Sequence, residues 1–100
     1  MGEFSKKYSV RGIRGATTVE SNSRDLIKDA TKELLEDMVS KNEVLSEDIA
    51  AVFFTTTSDI SDEFPAVAAR EMGWDTVPLI CGHEMAVPHG LSKCIRILIL

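Results

Sequence analysis

The run Cys94-Ile95-Arg96-Ile97-Leu98-Ile99-Leu100 predicts a buried β-strand, because its pattern is apolar and rich in isoleucine. Arg96 is the single charged residue in it. A buried guanidinium needs an anionic partner, and its rigid fork of donors suits a carboxylate or a developing oxyanion. The alternative is a structural ion pair with an acidic residue of the same chain, since such pairs also place arginines in protein cores.

The sequence before this stretch alternates between strand and helix patterns. Residues 23–41 carry apolar side chains at three-to-four spacing, which indicates an amphipathic helix, and residues 49–56 form a continuous apolar run typical of a central strand. The other expected elements are a glycine-interrupted strand at about 8–19, a short helix at about 65–72, a strand at about 76–81, a loop at 82–90 and a last strand from about 93. The order β-α-β-α-β-β predicts a single α/β (α+β) domain in which two helices pack on a mixed β-sheet.

Composition narrows the class of protein. One hundred residues make one small domain with a modest core, so oligomerisation is expected. Eleven basic and sixteen acidic residues give a net charge of −5 without a basic stripe, which argues against nucleic acid as a partner. Cys81 and Cys94 lie in apolar surroundings without a CxxC spacing, as expected of reduced thiols in a cytoplasmic protein.

The two ends of the chain give further expectations. No stretch is long and apolar enough to span a bilayer, and the N-terminus lacks a secretory signal, so no membrane partner is expected. Residues 1–9 are interpreted as an N-terminal extension or a cloning remnant, and residues 10–100 as one domain. The chain stops at Leu100 within an apolar strand, so we expect that a C-terminal segment of the parent protein is absent.

Four residues could carry chemistry, because they lie at predicted strand ends or in the loop between two strands. They are Arg14, Cys81, Glu84 and Arg96, and one cleft can gather them if these strands are neighbours. The set lacks a Ser-His-Asp arrangement, a phosphate-binding glycine loop and clustered metal ligands. Plainer interpretations are surface charges for Arg14 and Glu84, and a small buried apolar side chain for Cys81 in place of a nucleophile.

The two histidines, His83 and His89, are six residues apart in the predicted loop. A zinc site needs three or four convergent ligands, and Cys81 is the only obvious companion, so a structural or solvent-facing role is favoured for both. Phe64-Pro65-Ala66 opens the second helix and presents either an aromatic wall to a ligand or an ordinary packing contact. Taken singly, none of these residues names a reaction.

Taken together, these segments resemble the monofunctional chorismate mutases of the Bacillus type. The run RGIRGATTVE, from Arg11 to Glu20, is similar to the N-terminal signature of that family. Phe64-Pro65-Ala66 followed by Ala69-Arg70-Glu71 matches its second helix. The residues that match its active-site strand, loop and following strand are Val77-Pro78, Cys81, Glu84-Met85, Gly90-Leu91 and Lys93-Cys94-Ile95-Arg96. The resemblance covers the chain from about Val10 to Leu100 without a large gap.

The resemblance implies an enzyme that rearranges chorismate to prephenate on the route to phenylalanine and tyrosine. It also implies a homotrimer, assembled as a pseudo-barrel with an active site at each subunit interface, and neither a cofactor nor a metal. The rearrangement is a pericyclic shift within one molecule, which explains why no nucleophile or general base stands out. Such chemistry needs binding of a compact conformer and stabilisation of the charge that separates as the ether bond breaks.

The resemblance also implies roles at the matching positions. Arg96 is expected to donate to the breaking ether oxygen and to a substrate carboxylate, and to stabilise the developing negative charge. Glu84 is expected to accept a hydrogen bond from the ring hydroxyl, Arg14 to engage a substrate carboxylate, and Cys81 to be a polar wall contact. The remaining implied wall residues are Phe64 and Ala66 from the neighbouring subunit and the backbone of Ile80, Cys81, Gly82, His83 and Glu84.

Two departures from the family pattern limit this transfer. Val67 stands where the family usually has a lysine beside the pocket, which removes one attraction for a dianionic substrate. The family also continues past the position of Leu100 with a strand and a tail that contribute a tyrosine over the pocket. Two alternatives therefore stay open: a catalytically silent module that binds chorismate or prephenate, and a structural trimerisation domain that holds no ligand.

Overall fold

The computed structural model describes residues 9–100, so the extension expected over residues 1–9 lies, except for Ser9, outside the described residues. Strands and helices alternate along the described part of the chain. They are β1 (Ile13–Thr18), α1 (Arg24–Asn42), a short 3-10 helix (Ser46–Asp48), β2 (Val52–Thr56), α2 (Ala66–Glu71), β3 (Leu79–His83) and β4 (Cys94–Ile99). The predicted β-α-β-α-β-β order is confirmed.

The strands form one mixed sheet in the order β1-β4-β2-β3. β4 runs antiparallel to both β1 and β2, whereas β2 and β3 are parallel. A parallel pair needs a crossover connection, and the segment that contains α2 supplies it. The last strand, β4, therefore lies inside the sheet with neighbours on both sides, which explains why residues 94–100 are so apolar.

Residues suited to helix ends bound α1. The Ser23 hydroxyl accepts a hydrogen bond from the N–H of Leu26 at 3.5 Å, and Glu43 ends the helix with a left-handed φ of 52°. The side chains that α1 buries are spaced at three to four residues, as the sequence pattern requires, and are Ile27, Thr31, Leu35 and Met38. The helix predicted over residues 23–41 is thus confirmed, with its ends at residues 24 and 42.

β1 and α1 approach each other closely at Gly15. A Cβ atom built there would lie 2.9 Å from Met38 Sδ and 3.0 Å from Leu34 Cδ1, which is closer than such atoms pack in proteins. The absence of a side chain at Gly15 therefore lets the helix lie directly on the strand. The glycine interruption seen in the sequence of this strand has a packing cause.

α2 is short and is fixed at both ends. Pro65 precedes its first residue, and Gly73 leaves the helix with a positive φ of 90°. The Arg70 guanidinium donates hydrogen bonds to the carbonyl groups of Trp74 and Val77. These bonds tie the end of α2 to the segment that leads into β3, so the crossover is a rigid part of the fold.

The inner face of the sheet, which α1 and α2 cover, forms the core. Ile95, Ile97 and Ile99 of β4 are at most 2% exposed, and Val52 and Phe54 of β2 are 1% exposed. Side chains alternate between the two faces of a strand. The odd-numbered residues of β4 and the even-numbered residues of β2 therefore lie on the inner face. Buried side chains of α1 and α2 complete this core.

The outer face of the sheet is not covered by any described residue in a comparable way. Phe53, Ile80 and Leu98 form an apolar row there, since Phe53 pairs with Ile80 on one side and with Leu98 on the other. Their exposed fractions are 39%, 58% and 39%. Arg96 shares this face, and 46% of its side chain is exposed. The expectation of a buried Arg96 is therefore wrong, because the outward-facing Leu98 made the strand resemble one buried on both faces.

The strand β3 lies later in the chain than expected. It pairs with β2 from Val52–Leu79 to Thr56–His83, whereas the sequence predicted a strand at 76–81 and a loop from residue 82. The loop therefore begins at Glu84. Within residues 9–100, no helix combines the length and the apolar character needed to cross a membrane.

Candidate active site

Arg96 and Glu84 meet on the outer face of the sheet. Arg96 lies in β4, and Glu84 directly follows β3, two strands away. The Arg96 Nε donates a hydrogen bond to Glu84 Oε1 at 3.1 Å, and this bond is the main reason why the pKa of Arg96 is raised above its ordinary value. The Glu84 N–H also donates to the Thr56 carbonyl at 2.8 Å, which fixes the backbone of the acid. The pair is thus a positioned cation with an oriented carboxylate beside it.

Arg14 lies on the same face. In β1, Ala16 pairs with Arg96 and Arg14 pairs with Leu98, so Arg14 and Arg96 project from neighbouring strands on one side of the sheet. An open groove of about 810 Å³ runs between them, and Phe53 and Thr55 of β2 form its floor. We name it the outer-face groove. Two guanidinium groups in one groove favour a ligand with carboxylate groups.

A second concavity lies where the segment after β2 meets α2 and β3. It has a volume of about 360 Å³ and is lined by Thr56, residues 60–65 and residues 81–83. We name it the loop pocket. Phe64 stands at its edge with 68% of its surface exposed, and His83 Nε2 lies 3.1 Å from the Ile60 carbonyl oxygen at its base. An exposed phenylalanine beside a pocket suits contact with an apolar part of a ligand or of another chain.

Cys81 belongs to the loop pocket and faces the start of α2. Burial raises the pKa of its thiol, and a hydrogen bond from the Ala66 backbone N–H counteracts this only in part. The thiol is therefore the dominant form at neutral pH, which is a poor state for a nucleophile. This chemistry argues against a nucleophile, and the role of a wall contact stays a prediction.

Within one chain, the expected site residues are divided between the outer-face groove and the loop pocket. Arg14, Glu84 and Arg96 line or border the outer-face groove, whereas Cys81 lies on the opposite side of the sheet. The cause is the alternation of β3, in which Ile80 and Gly82 face outward with Phe53 and Thr55, and Cys81 faces inward with Phe54. The single cleft expected for Arg14, Cys81, Glu84 and Arg96 is thus absent from the described part of one chain.

The remaining expected wall residues are divided in the same way. Ile80 lies on the outer face beside Phe53, whereas His83 lines the loop pocket with Phe64. Gly82 has the outward register of Ile80, and its backbone also borders the loop pocket. His89 is exposed in the loop before β4. Among residues 9–100, no group of three or more His, Cys, Asp or Glu side chains could hold a metal ion.

Sequence reasoning missed a cluster of polar residues that joins these parts. Asp59 accepts hydrogen bonds from the backbone N–H of Lys93, at 3.0 and 3.1 Å, and from the Thr57 hydroxyl. Asn22 Oδ1 accepts from the N–H groups of Ser61 and Asp62, both at 2.9 Å. The only sequence signal was a Thr-Ser-Asp run after an apolar strand, which is typical of a turn and does not identify a partner 34 residues away.

The chain matches one family model over nearly its whole length. Residues 10–100 match the family "Chorismate mutase type I". The chain is also 46% identical over 90 residues to chorismate mutase AroH of Bacillus subtilis, with 89% of this chain and 71% of that protein covered. It is 49% identical over 92 residues to chorismate mutase AroH of Thermus thermophilus, with 91% and 75% covered.

A solved structure agrees with these sequence matches. A chorismate mutase from Clostridium thermocellum superposes on this fold with a TM-score of 0.90 and 46% sequence identity. The match covers 91% of this chain and 81% of the other. The overall fold of this chain thus recurs in a solved structure that is also called a chorismate mutase.

Proposed function

The chain belongs to the chorismate mutase type I family, and we infer that its outer-face groove is the part of the active site that binds chorismate and stabilises the transition state. The enzyme rearranges chorismate to prephenate, a reaction that serves aromatic amino acid biosynthesis. The observation that carries the assignment of the groove is the fixed pair of Arg96 and Glu84 with Arg14 on the neighbouring strand.

Arg96 is the residue that stabilises charge in this proposal. As the ether bond of chorismate breaks, negative charge develops on its oxygen, and a guanidinium already held in place costs no reorganisation at that moment. The bond to Glu84 uses Nε alone, so the two terminal nitrogens of Arg96 can donate to the ether oxygen and to a substrate carboxylate. The raised pKa of Arg96 keeps it charged throughout.

Glu84 and Arg14 fix the conformer of the substrate. The Glu84 carboxylate accepts a hydrogen bond from the ring hydroxyl of the substrate, and Arg14 binds a substrate carboxylate. Chorismate reacts only from a compact conformer, and contacts at both ends select it. Substrate binding and catalysis thus need no nucleophile, which fits a site of two cations and one anion.

We further propose a homotrimer with an active site at each subunit interface. The outer face carries the apolar row of Phe53, Ile80 and Leu98, and burial of such a row is a driving force for association. Arg96 and Cys81 lie on opposite sides of the sheet in one chain, so a pocket that uses both needs two copies. The loop pocket of one subunit, with Phe64 and Cys81, and the adjacent Ala66 at the start of α2 would then close the groove of the next.

A cytoplasmic location is part of the same proposal. Cys81 and Cys94 are free thiols, and Cys94 is buried. Thiols of this kind are maintained in a reducing compartment, which is where enzymes of amino acid biosynthesis find their substrates.

The test is a continuous ultraviolet assay of chorismate disappearance, with prephenate identified as the product. Arg96→Ala should abolish turnover and leave the assembly unchanged, since it keeps the apolar row of Phe53, Ile80 and Leu98. Arg11→Ala is the matched control, because Arg11 is an exposed arginine outside the groove. Equal loss of assembly and activity in Arg96→Ala would contradict the proposal and favour a structural ion pair.

Equilibrium dialysis separates the two other functions that the sequence left open. A catalytically silent module would retain chorismate or prephenate without turnover. A structural trimerisation domain would retain neither. Turnover that depends on Arg96 excludes both.

A further inference from the structure

The loop between β3 and β4 connects two residues of the proposed site. Glu84 is its first residue and Lys93 its last, and Arg96 follows in β4. The relative position of Glu84 and Arg96 therefore depends on how the two ends of the loop are held. Thr56, Thr57 and Asp59 hold both ends, and we name the segment 56–59, where β2 ends, the β2 corner.

Hydrogen bonds of the β2 corner hold the backbone where the loop begins and where it meets β4. The Thr56 carbonyl accepts from Glu84 N–H at 2.8 Å, and the Thr57 hydroxyl accepts from Cys94 N–H at 2.9 Å. Both oxygens of Asp59 accept from Lys93 N–H, at 3.0 and 3.1 Å. The Thr57 hydroxyl donates its own proton to Asp59, so the two side chains act as one unit.

The backbone conformation of Lys93 shows how Thr57 and Asp59 affect the entry of the chain into β4. Lys93 has a φ of 49°, in the left-handed region that non-glycine residues rarely adopt. Such a conformation persists only where the surroundings impose it. Both oxygens of Asp59 hold the Lys93 N–H, and the Lys93 carbonyl accepts from the Val19 N–H at 2.9 Å, so Asp59 fixes one side of a residue that β1 holds on the other. The turn at Lys93 sets the direction in which the chain enters β4.

The β2 corner lies close to the pair of Arg96 and Glu84. Cys94 is 1% exposed, and Arg96, Glu84 and Asp59 all act electrostatically on its thiol, whose pKa is raised mainly by burial. Asp59 itself is exposed at the surface. Its loss would thus leave the core intact, and water could reach the Lys93 N–H.

We propose that Asp59 is a positioning residue of the chorismate mutase reaction. It holds the start of β4, directly at Lys93 and through Thr57 at Cys94, and thereby sets the placement of Arg96 relative to Glu84. The inference rests on the proposed function of Arg96. Asp59 touches no substrate, and its effect reaches the reaction through the geometry of the pair.

The first test measures kcat and KM of Asp59→Ala, with Asp59→Asn as the conservative variant and Asp75→Ala as the exposed control at the other end of the sheet. A small misplacement of a transition-state group lowers kcat, so we expect a loss of at least about tenfold in Asp59→Ala with KM changed by less than about threefold. Asp59→Asn retains one acceptor oxygen and should lose less. Unchanged kcat in Asp59→Ala, or a loss confined to KM, would overturn the proposal.

The second test asks whether Asp59 acts through Arg96. In an Arg96→Lys background, where the fork is already gone, Asp59→Ala should lower kcat by less than about threefold. The same factor in both backgrounds would show that Asp59 acts elsewhere, and would overturn the proposal. An unaltered chain without turnover would instead refute the proposed function of the groove, so the two failures are distinguishable.

A variant pair covers the case in which Asp59→Ala does not assemble. Thr57→Val keeps the shape of the side chain and removes the hydroxyl that joins Asp59 to Cys94, whereas Thr57→Ser keeps the hydroxyl. Thr57→Val should lose kcat and Thr57→Ser should retain it. Equal activity of the two variants would overturn the proposal.

Discussion

Arg96 and Glu84 are joined by a hydrogen bond of 3.1 Å across a loop that separates them by twelve residues. Their side chains are 46% and 25% exposed, so solvent screens the pair and its contribution to stability is small. The pair matters because it orients the Arg96 side chain. The carboxylate fixes the rotation of the guanidinium through Nε and leaves the two terminal nitrogens directed at the groove.

Arg96→Lys should therefore damage the reaction almost as much as a truncation. Lysine keeps the positive charge but cannot bond Glu84 and donate to a ligand with a planar fork. We expect kcat to fall by roughly 10²–10³-fold, as for the loss of a transition-state donor, while the assembly survives. Steady-state kinetics and sedimentation of the same samples check both parts. Retention of more than about half of kcat would show that a point charge suffices.

Two inactive variants should restore activity when they are mixed. Arg96→Ala disables the outer-face groove, and Phe64→Asp places an anion beside the loop pocket of the same chain. In a mixed assembly, an Arg96→Ala subunit can offer its intact loop pocket to the intact groove of a Phe64→Asp subunit, so about a quarter of the interface sites regain activity at random mixing.

The mixing experiment is done by joint denaturation and refolding, followed by the chorismate assay. Each variant refolded alone is the control for spontaneous recovery. No recovery in the mixture, although mixed assemblies form, would contradict a site shared between subunits.

Leu98→Lys should dissociate the assembly and leave the chain folded. Leu98 is 39% exposed on the outer face and belongs to the apolar row with Phe53, so a lysine there reaches solvent in a monomer but is buried in an interface. Sedimentation should show a monomer with an unchanged far-ultraviolet spectrum. Leu45→Lys is the control, because Leu45 is 58% exposed and lies outside the sheet. An unchanged mass in Leu98→Lys would exclude the outer face as the interface.

The sequence allowed the order and type of every main element to be predicted, because each depends on local patterns. Ser23 at the start of α1 and Gly73 after α2 are signals of this kind. The exposure of Arg96 could not be predicted, since an apolar run looks the same whether one face or both faces of a strand are covered.

The arrangement of the expected site residues could not be predicted from the sequence. Family resemblance named Arg14, Glu84 and Arg96, and the structure brings these to one face. The pairing of β3 with β2 determines whether its odd-numbered or its even-numbered side chains face the helices. The sequence therefore did not predict that Cys81 and Arg96 lie on opposite sides of the sheet. Asp59 was missed because its partner Lys93 lies far along the chain.

Gly15→Ala should destabilise the fold through the contact between β1 and α1. The new methyl group would lie 2.9 Å from Met38 Sδ and 3.0 Å from Leu34 Cδ1, so the helix must shift or both side chains must leave their rotamers. Overpacking of this kind costs about 1–3 kcal/mol. Urea denaturation measures it, with Gly12→Ala as the control, because a Cβ at Gly12 meets its nearest side chain at an ordinary 3.5 Å. Equal stability of the two variants would show that α1 has room to move.

The stabilising effect of Asp59 should depend on pH. The hydrogen bond from the Thr57 hydroxyl, and more weakly the N–H and charge of Lys93, hold the pKa of this carboxyl below its ordinary value of 3.8. A group with a lowered pKa in the folded state stabilises the fold fully above its unfolded pKa, and loses that effect as the pH falls through the folded pKa.

The free energy of unfolding should therefore differ most between the unaltered chain and Asp59→Asn at about pH 6, and the difference should shrink below about pH 4. Asparagine does not titrate, so comparison of the two proteins cancels the other acidic groups. Urea denaturation at a series of pH values gives the difference directly. A gap that stays constant down to about pH 3 would mean that the charge of Asp59 does not stabilise the corner, and that the amide bonds Lys93 equally well.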